Sequence, residues 1–249
     1  MHPSLLSLAH RPWPQPRQPW IIAQNWRDLL FAHWAVPAQA LRRLLPATLE
    51  LDLFNQQAWI GIVPFVMTNV RLRGTPAIPW FSTFPELNVR TYVTANGKPG
   101  VWFFSLDAAN RIAVELARLS FHLPYFHGRM QVKSGSAGII YSSRRTDRRG
   151  GDEQLEVTYG ASGPSFEAKH GTLEYFLTER YCLYAQRSDG ELLRGEIHHP
   201  PWKLQHAQAS FALNTMTKNL AIDTATSPSI LHFSKLQQMI GWPPSKLGV

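Results

Sequence analysis

Hydrophobic and polar positions alternate with a period of two over many short stretches, the pattern of strands whose side chains point to opposite faces in turn. The clearest stretch is ELNVRTYV, Glu86 to Val93. As a strand it sets Glu86, Asn88, Arg90 and Tyr92 on one face and Leu87, Val89, Thr91 and Val93 on the other. Asn96-Gly97 follows, a dipeptide suited to a tight hairpin turn. The next run, GVWFFSL from Gly100 to Leu106, is apolar on both faces, as in a strand covered on both sides. A two- or four-residue loop sets Arg90 and Tyr92 beside Val101, Phe103 and Ser105. A three-residue loop sets them beside the equally apolar Trp102, Phe104 and Leu106. Either register gives the polar row greasy neighbours, so a lined cavity is expected rather than an open face.

The rest of the chain reads in the same terms. Pro3, Pro12, Pro14, Pro16 and Pro19 exclude a helix near the start and predict an extended arm over residues 1–22. Arg27 to Val36 reads as a buried strand, and Pro37 to Pro46 as a short helix opened and closed by proline. Leu49 to Phe54 and Ala58 to Leu72 are strands, the second bent or at an edge because of Pro64. Asp107 is placed to cap a helix reaching about Ser120, with Ala109, Ile112, Ala113, Leu116 and Leu119 as its apolar stripe. Gly128 to Lys133, Gly138 to Arg145 and Gln154 to Tyr159 are further strands. Leu173, Phe176 and Leu177 share one side of a short helical turn. Arg180 to Gln186 and Glu191 to His199 form a hairpin about Asp189-Gly190. A last strand falls near Ser229 to Phe233, before an irregular tail over 241–249. Many hairpin-joined strands, few short helices and no βαβ alternation predict a mainly β (α+β) fold. The expected form is a single-domain antiparallel barrel or sandwich over residues 23–240.

Composition changes this picture little. With 44% hydrophobic and 17% charged residues, a chain of 249 residues can bury a real core. The net charge of +8 raises nucleic acid as a partner. Part of the excess is local, in Arg144, Arg145, Arg148 and Arg149, and no helix-turn-helix, zinc-finger or aromatic RNA-binding pattern accompanies it. Nucleic-acid binding is therefore not the expected role. The single Cys182 leaves no internal disulfide and reads as inert packing between Tyr181 and Leu183. No apolar run approaches the ~20 residues a spanning helix needs. A cytoplasmic protein without a membrane partner is expected, its oligomeric state open.

Several long motifs in fixed order carry a resemblance. They are RDLLFAHW (Arg27 to Trp34), WIGIVPFVM (Trp59 to Met67), PELNVRTYV (Pro85 to Val93), PGVWFFSLDA (Pro99 to Ala108), LPYF (Leu123 to Phe126), GTLEYFLTERYCLY (Gly171 to Tyr184) and IHHPPW (Ile197 to Trp202). Together they resemble the YqjF-like family of unknown function, within the acetoacetate-decarboxylase-like superfamily. The resemblance implies a closed, mostly antiparallel barrel or cone with helices outside and a cavity within, and it implies no established activity. The superfamily's named enzyme decarboxylates a β-keto acid through a Schiff-base lysine, which needs a depressed amine pKa. There an aromatic-Pro pair leads into two adjacent lysines. The nearest counterpart here is Leu123-Pro124 followed by Tyr125-Phe126, with both lysines missing. Glu86 lies in a stretch comparable to one carrying a pocket glutamate, so the resemblance implies a shared cavity more than a shared reaction.

Arg90 is the leading candidate for a ligand contact, because its planar fork pairs with a carboxylate or phosphate. The alternative is an internal salt bridge to Glu86 or Glu174. Glu86 is a candidate acid or base, Tyr92 a neighbour on the row, and His122 and Tyr125 close a helix end beside it. A two-residue loop at Asp189-Gly190 puts Arg180 near His199 and Tyr181 near His198, with only one of the two histidines facing inward. No cofactor is implied, and no metal, since a third or fourth ligand at diagnostic spacing is missing. Gly61 to Pro64 and Gly135 to Gly138 lack the strand-to-helix setting of a nucleophilic serine. The expectation is a small anionic or carbonyl-bearing ligand in a polar cavity. The competing one is a structural or interaction protein whose row is an internal ion network.

Overall fold

The computed structural model describes residues 2–136 and 138–247. The strands are β1 (Ile22–Val36), β2 (Glu50–Leu51), β3 (Ala58–Leu72), β4 (Phe84–Ala95), β5 (Lys98–Ala108), β6 (Tyr125–Gly135), β7 (Gly138–Arg145), β8 (Gln154–Phe166), β9 (Cys182–Gln186), β10 (Leu192–His198), β11 (Leu204–Asn214), β12 (Ile230–Gly241) and β13 (Ser245–Lys246). Three short helices interrupt them: α1 (Ala38–Arg42), α2 (Arg111–Phe121) and α3 (Leu173–Thr178). The fold is mainly β, as the alternation predicts.

Pairing runs β13-β10-β9-β5-β6-β7-β8-β11-β12-β1-β3-β4-β2, with β4 also paired to β5 and β10 to β12. The pairs of β5 with β6 and with β9 are parallel; the others are antiparallel. The run from β5 through β6, β7, β8, β11, β12, β1 and β3 to β4 therefore returns to β5. This leaves β4 with neighbours on both edges for most of its length.

The β4–β5 hairpin turns at Asn96 and Gly97, both at positive φ (50° and 70°), which is what a type I′ turn requires. Tyr92 pairs with Val101 and Arg90 with Phe103, the arrangement given by the two-residue loop. Between Arg90 and Val89 the register slips by one, so that Val89 faces Ser105 and Phe104 is the extra residue. Ser105 thus leaves the face of Arg90 and Tyr92, where an unbroken strand would have kept it.

Both faces of β4 are buried. Leu87 and Val89 enter an apolar core with Leu30, Ala32, Trp34, Ile60 and Ile62, closed by Tyr141, Leu155, Val157 and Tyr159 of β7 and β8. The opposite face packs against a second set of elements: Tyr92 with Val101 and Leu177, and neighbouring Phe31, Val63 and Phe65 with Trp202 and Leu204.

Three local expectations are corrected. Asn110, not Asp107, caps α2, its side chain accepting from the Ala113 N–H. Asp107 is instead fully buried, its two oxygens receiving Arg145 Nε and Nη2 at 2.6 and 2.8 Å, and Glu153 completes the ion group at 2.8 Å from Arg145 Nη1. The large residues of the α2 stripe are turned outward: Ile112, Leu116 and Leu119 are 62%, 52% and 74% exposed, while Val114 is buried. The small members of the stripe, Ala109 and Ala113, pack against the core. The loop between β9 and β10 holds five residues, Gln186 pairing with Leu192, which shifts the hairpin by one position. Ile197, not His198, therefore sits opposite Tyr181, its N–H donating to the Tyr181 carbonyl at 3.0 Å.

The segment before β1 is laid on the rest of the chain. Pro3–Leu6 form one 3-10 turn, the only helical backbone among the described residues of that arm. The Arg11 side chain is buried and donates to the Ile197 carbonyl at 2.6 Å and to Glu196 at 3.1 Å. Of the four loop arginines, Arg145 is in the buried ion group, and Arg149 pairs with Asp147 and Glu115 at 2.6 Å each. The basic loop is half neutralised. No helix among the described residues is long and apolar enough to cross a membrane.

Candidate functional site

The register carries the polar row of β4 onto a shared face with β3: Glu86 faces Phe65, Asn88 faces Val63 and Arg90 faces Gly61. Gly61 in turn faces His33 of β1, so His33 and Arg90 flank a position without a side chain. A Cβ there would stand 2.9 Å from His33 Nε2 and 3.5 Å from Arg90 Cγ. The glycine is what lets the imidazole and the arginine stem share that space.

Arg90, half-buried, has no acidic partner within salt-bridge distance among the described residues. Its Nη2 donates to the Leu177 carbonyl at 3.0 Å and to the Tyr92 hydroxyl at 3.3 Å, and its Nε is buried without a partner. The guanidinium carbon lies 5.2 Å from the Phe31 ring centre and 5.6 Å from that of Tyr92. Neither Glu86 nor Glu174 pairs with it. Its guanidinium is held by aromatic faces, one carbonyl and one hydroxyl.

At the other end of the row, Glu86 is buried and receives the Tyr125 hydroxyl, 3.1 Å from Oε1 and 3.2 Å from Oε2. Burial pushes the Glu86 carboxyl up to about 8, against the pull of that hydrogen bond. Tyr125 is raised well above its ordinary range by burial and by Glu86. Near neutral pH the pair holds a proton on Glu86 that it can give up to a basic acceptor. Tyr125 is the residue that follows Pro124, where the resemblance places the first lysine of the decarboxylase.

The other candidates from the sequence fall in different places. Arg180 stacks on Phe176 and Tyr92, 4.2 and 5.0 Å from the ring centres, and its charge is taken by Asp52 at 2.6 Å. The Tyr181 hydroxyl donates to buried Glu179, whose other oxygen accepts from the Trp202 N–H at 2.9 Å. His198 Nε2 lies 2.8 Å from the Ser4 carbonyl of the arm. His122 ends α2 in the left-handed conformation at φ 53°. Along one face of β4, Glu86 with Tyr125 lies at one end and Arg90 with Tyr92 at the other, while Tyr181 and His198 belong to the seat of the arm.

His33 is the residue that alternation alone did not single out. It is fully buried, its Nε2 2.6 Å from the Tyr92 hydroxyl, and its Nδ1 has no partner. Burial, with Arg90 and His232 nearby, holds it well below the usual histidine range, so the ring is neutral. The signal available in the sequence was a lone polar residue in the apolar run from Leu29 to Val36, which is uncommon in a buried setting. Leu29 and Phe31 share the face of His33 and pair with Ser234 and His232 of β12. Ser234 Oγ and His232 Nδ1 are also buried and unpartnered, as are Asn88 Oδ1 and Trp202 Nε1. Buried polar atoms left unmatched in this number on one face are uncommon. Among the described residues no group of three or more His, Cys, Asp or Glu side chains is arranged to hold a metal ion.

Comparison with known proteins places this arrangement. The DUF2071 model, described as an uncharacterized conserved protein, matches residues 23–238. The chain belongs to that family. Uncharacterized protein YqjF of Bacillus subtilis (strain 168) is 45% identical over 227 residues, covering 91% of this chain and 93% of the relative. Among solved structures, acetoacetate decarboxylase from Legionella pneumophila superposes with a TM-score of 0.63 at 14% identity, over 96% of this chain and 93% of that one. The enduracididine biosynthesis enzyme MppR, complexed with pyruvate, gives 0.62 at 12% identity over the same shares. An acetoacetate decarboxylase-like enzyme from Sphingomonas wittichii gives 0.60 at 12% identity, over 96% of this chain and 97% of that one. This member of the DUF2071 family therefore has the acetoacetate decarboxylase-like fold.

Proposed function

We propose that the chain binds a small anionic or carbonyl-bearing metabolite in a polar compartment enclosed by a barrel of strands. The return of the strand pairing from β4 to β5 supports the barrel. One observation carries the ligand class: Arg90, on a strand buried on both faces, has no carboxylate among the described residues to balance it. A guanidinium so placed is matched by an incoming carboxylate or similar anion. The buried unpartnered atoms on the same face are the complement a polar ligand would fill. That a protein of the same fold, MppR, is found with pyruvate agrees with a small oxo or carboxylic acid. Glu86 with Tyr125 would then handle a proton at the far end of the row, without a Schiff base, since tyrosine and phenylalanine follow Pro124. The sequence expectation of an internal ion network through the row finds less support, because the buried ion group uses Asp107, Arg145 and Glu153 instead.

The test is ligand-dependent melting with a panel of small carboxylates on wild type and Arg90→Ala. At least one acid should raise the wild-type melting temperature and have no effect on the variant. A panel that leaves the wild type unmoved removes the basis for this reading.

A further inference from the structure

Resting on the anion site just proposed, its second recognition element can be read from the hydrogen bonds around Tyr92. A phenol has one hydrogen to give and two lone pairs to receive. The Tyr92 hydroxyl lies 2.8 Å from the Leu177 carbonyl oxygen, which can only accept. Its single proton goes there. Arg90 Nη2, which can only donate, lies 3.3 Å from the same hydroxyl oxygen. His33 Nε2, at 2.6 Å, must then be the second donor, and it carries the ring proton. In a neutral imidazole this leaves Nδ1 as a bare acceptor. That atom is buried and has no partner, on a residue that is fully buried.

The position of His33 ties this acceptor to the cation. His33 and Arg90 both hydrogen-bond one hydroxyl, and the Nε2–Cδ2 edge of the ring packs over Gly61 beside the arginine stem. Two strand positions from Arg90, on the same face, Asn88 Oδ1 is a second buried and unmatched acceptor. A ligand carrying only acceptors beyond its charged group would leave both of these atoms unpaired, which is costly in a buried site. A ligand with a donor near its carboxylate would satisfy at least one.

We infer that the site selects a carboxylate bearing a hydrogen-bond donor close to the acid group, of the 2-hydroxy acid class, over the matching 2-oxo acid. Arg90 takes the carboxylate, and His33 Nδ1 accepts from the ligand's hydroxyl. His33 is here a specificity-determining residue, with Tyr92 fixing its tautomer. No bond is made or broken in this recognition. The discrimination comes from pairing or failing to pair a buried acceptor, a difference that reaches large factors where a site is built for it.

The experiment compares matched pairs of rising size by calorimetry: lactate with pyruvate, 2-hydroxybutyrate with 2-oxobutyrate, and 2-hydroxyisocaproate with its 2-oxo counterpart. Wild type should bind the hydroxy member of a pair at least tenfold more tightly, and His33→Gln should bind both members alike. A wild type that binds the oxo member as well or better overturns the inference and leaves the anion site standing. Binding of no member of any pair overturns both. Nitrogen-15 NMR of the histidine ring in wild type gives a readout that does not depend on a variant folding. The Nδ1 signal should start at the unprotonated position and move toward the hydrogen-bonded one with the hydroxy acid only. A protonated Nδ1 in the free protein contradicts the tautomer, and with it the inference.

Discussion

The Tyr125 hydroxyl reaches both carboxylate oxygens of Glu86, at 3.1 and 3.2 Å, in a setting where burial has raised that carboxyl to about 8. The pair fixes a sign for stability against pH. An unfolded chain loses this proton near the ordinary 4.5, while the folded chain keeps it to about 8. Glu86 thus favours the folded state below 4.5, and its contribution is lost as pH rises through that window. Glu86→Gln, which stays neutral, should flatten the fall and exceed wild type by a few kcal/mol above pH 8. Denaturant titrations at pH 5, 7 and 9 measure this. A difference between the two proteins that does not grow with pH would show that Glu86 ionises freely.

The buried ion group predicts an ordering among arginines of one loop. Arg145→Ala leaves Asp107 and Glu153 facing each other without a cation, which costs about 3–5 kcal/mol. Arg149→Ala removes the exposed pair with Glu115 and leaves the largely covered Asp147 carboxylate to the backbone N–H groups of His127 and residue 149, and should cost about 1 kcal/mol. Thermal melts of the two variants side by side decide it, and comparable losses would mean that Asp107 and Glu153 find other partners.

Gly61→Ala adds one methyl at the crossing of β1, β3 and β4. With His33 Nε2 at 2.9 Å from that methyl, the ring must move, and Tyr92 loses a donor. The expected loss is about 1–3 kcal/mol of stability, together with any carboxylate-induced rise in melting temperature. A variant that keeps both would show that the imidazole is free to shift.

How much of this could be read from residues alone depended on range. The Asn96-Gly97 turn is local and was legible, but the sequence left two registers open, and only the pairing selects the one that sets Arg90 and Tyr92 opposite Phe103 and Val101. The burial of the row followed from the sequence, because Gly100 to Leu106 is apolar on both sides. The slip at Phe104 was illegible, since a bulge leaves the composition of a strand unchanged. Asp107 looked like a helix cap because aspartate before an amphipathic run usually is one. Only the distant arrival of Arg145 assigns it otherwise. The same holds for α2, whose stripe predicts burial throughout but which packs inward through Ala109, Ala113 and Val114 and leaves Ile112, Leu116 and Leu119 outside. The five-residue β9–β10 loop shifted the register of His198, and the contacts of Ser4 and Arg11 span 194 and 186 residues of chain. Of the candidate site, the β4 residues were legible from one strand. His33 needed the pairing of three.

Because β4 is covered on both sides, its alternate residues answer to different selective demands. Leu87 and Val89 are held only to volume and hydrophobicity, and a family can exchange such residues among aliphatics as long as the space stays filled. Glu86, Asn88, Arg90 and Tyr92 are held to particular donors and acceptors, where no substitution of similar size is neutral. A saturation library across Glu86 to Val93 should therefore record tolerance and intolerance at every second codon. On the proposed function, a family member binding another ligand would differ at the even codons first, with the odd ones still spelling the same core.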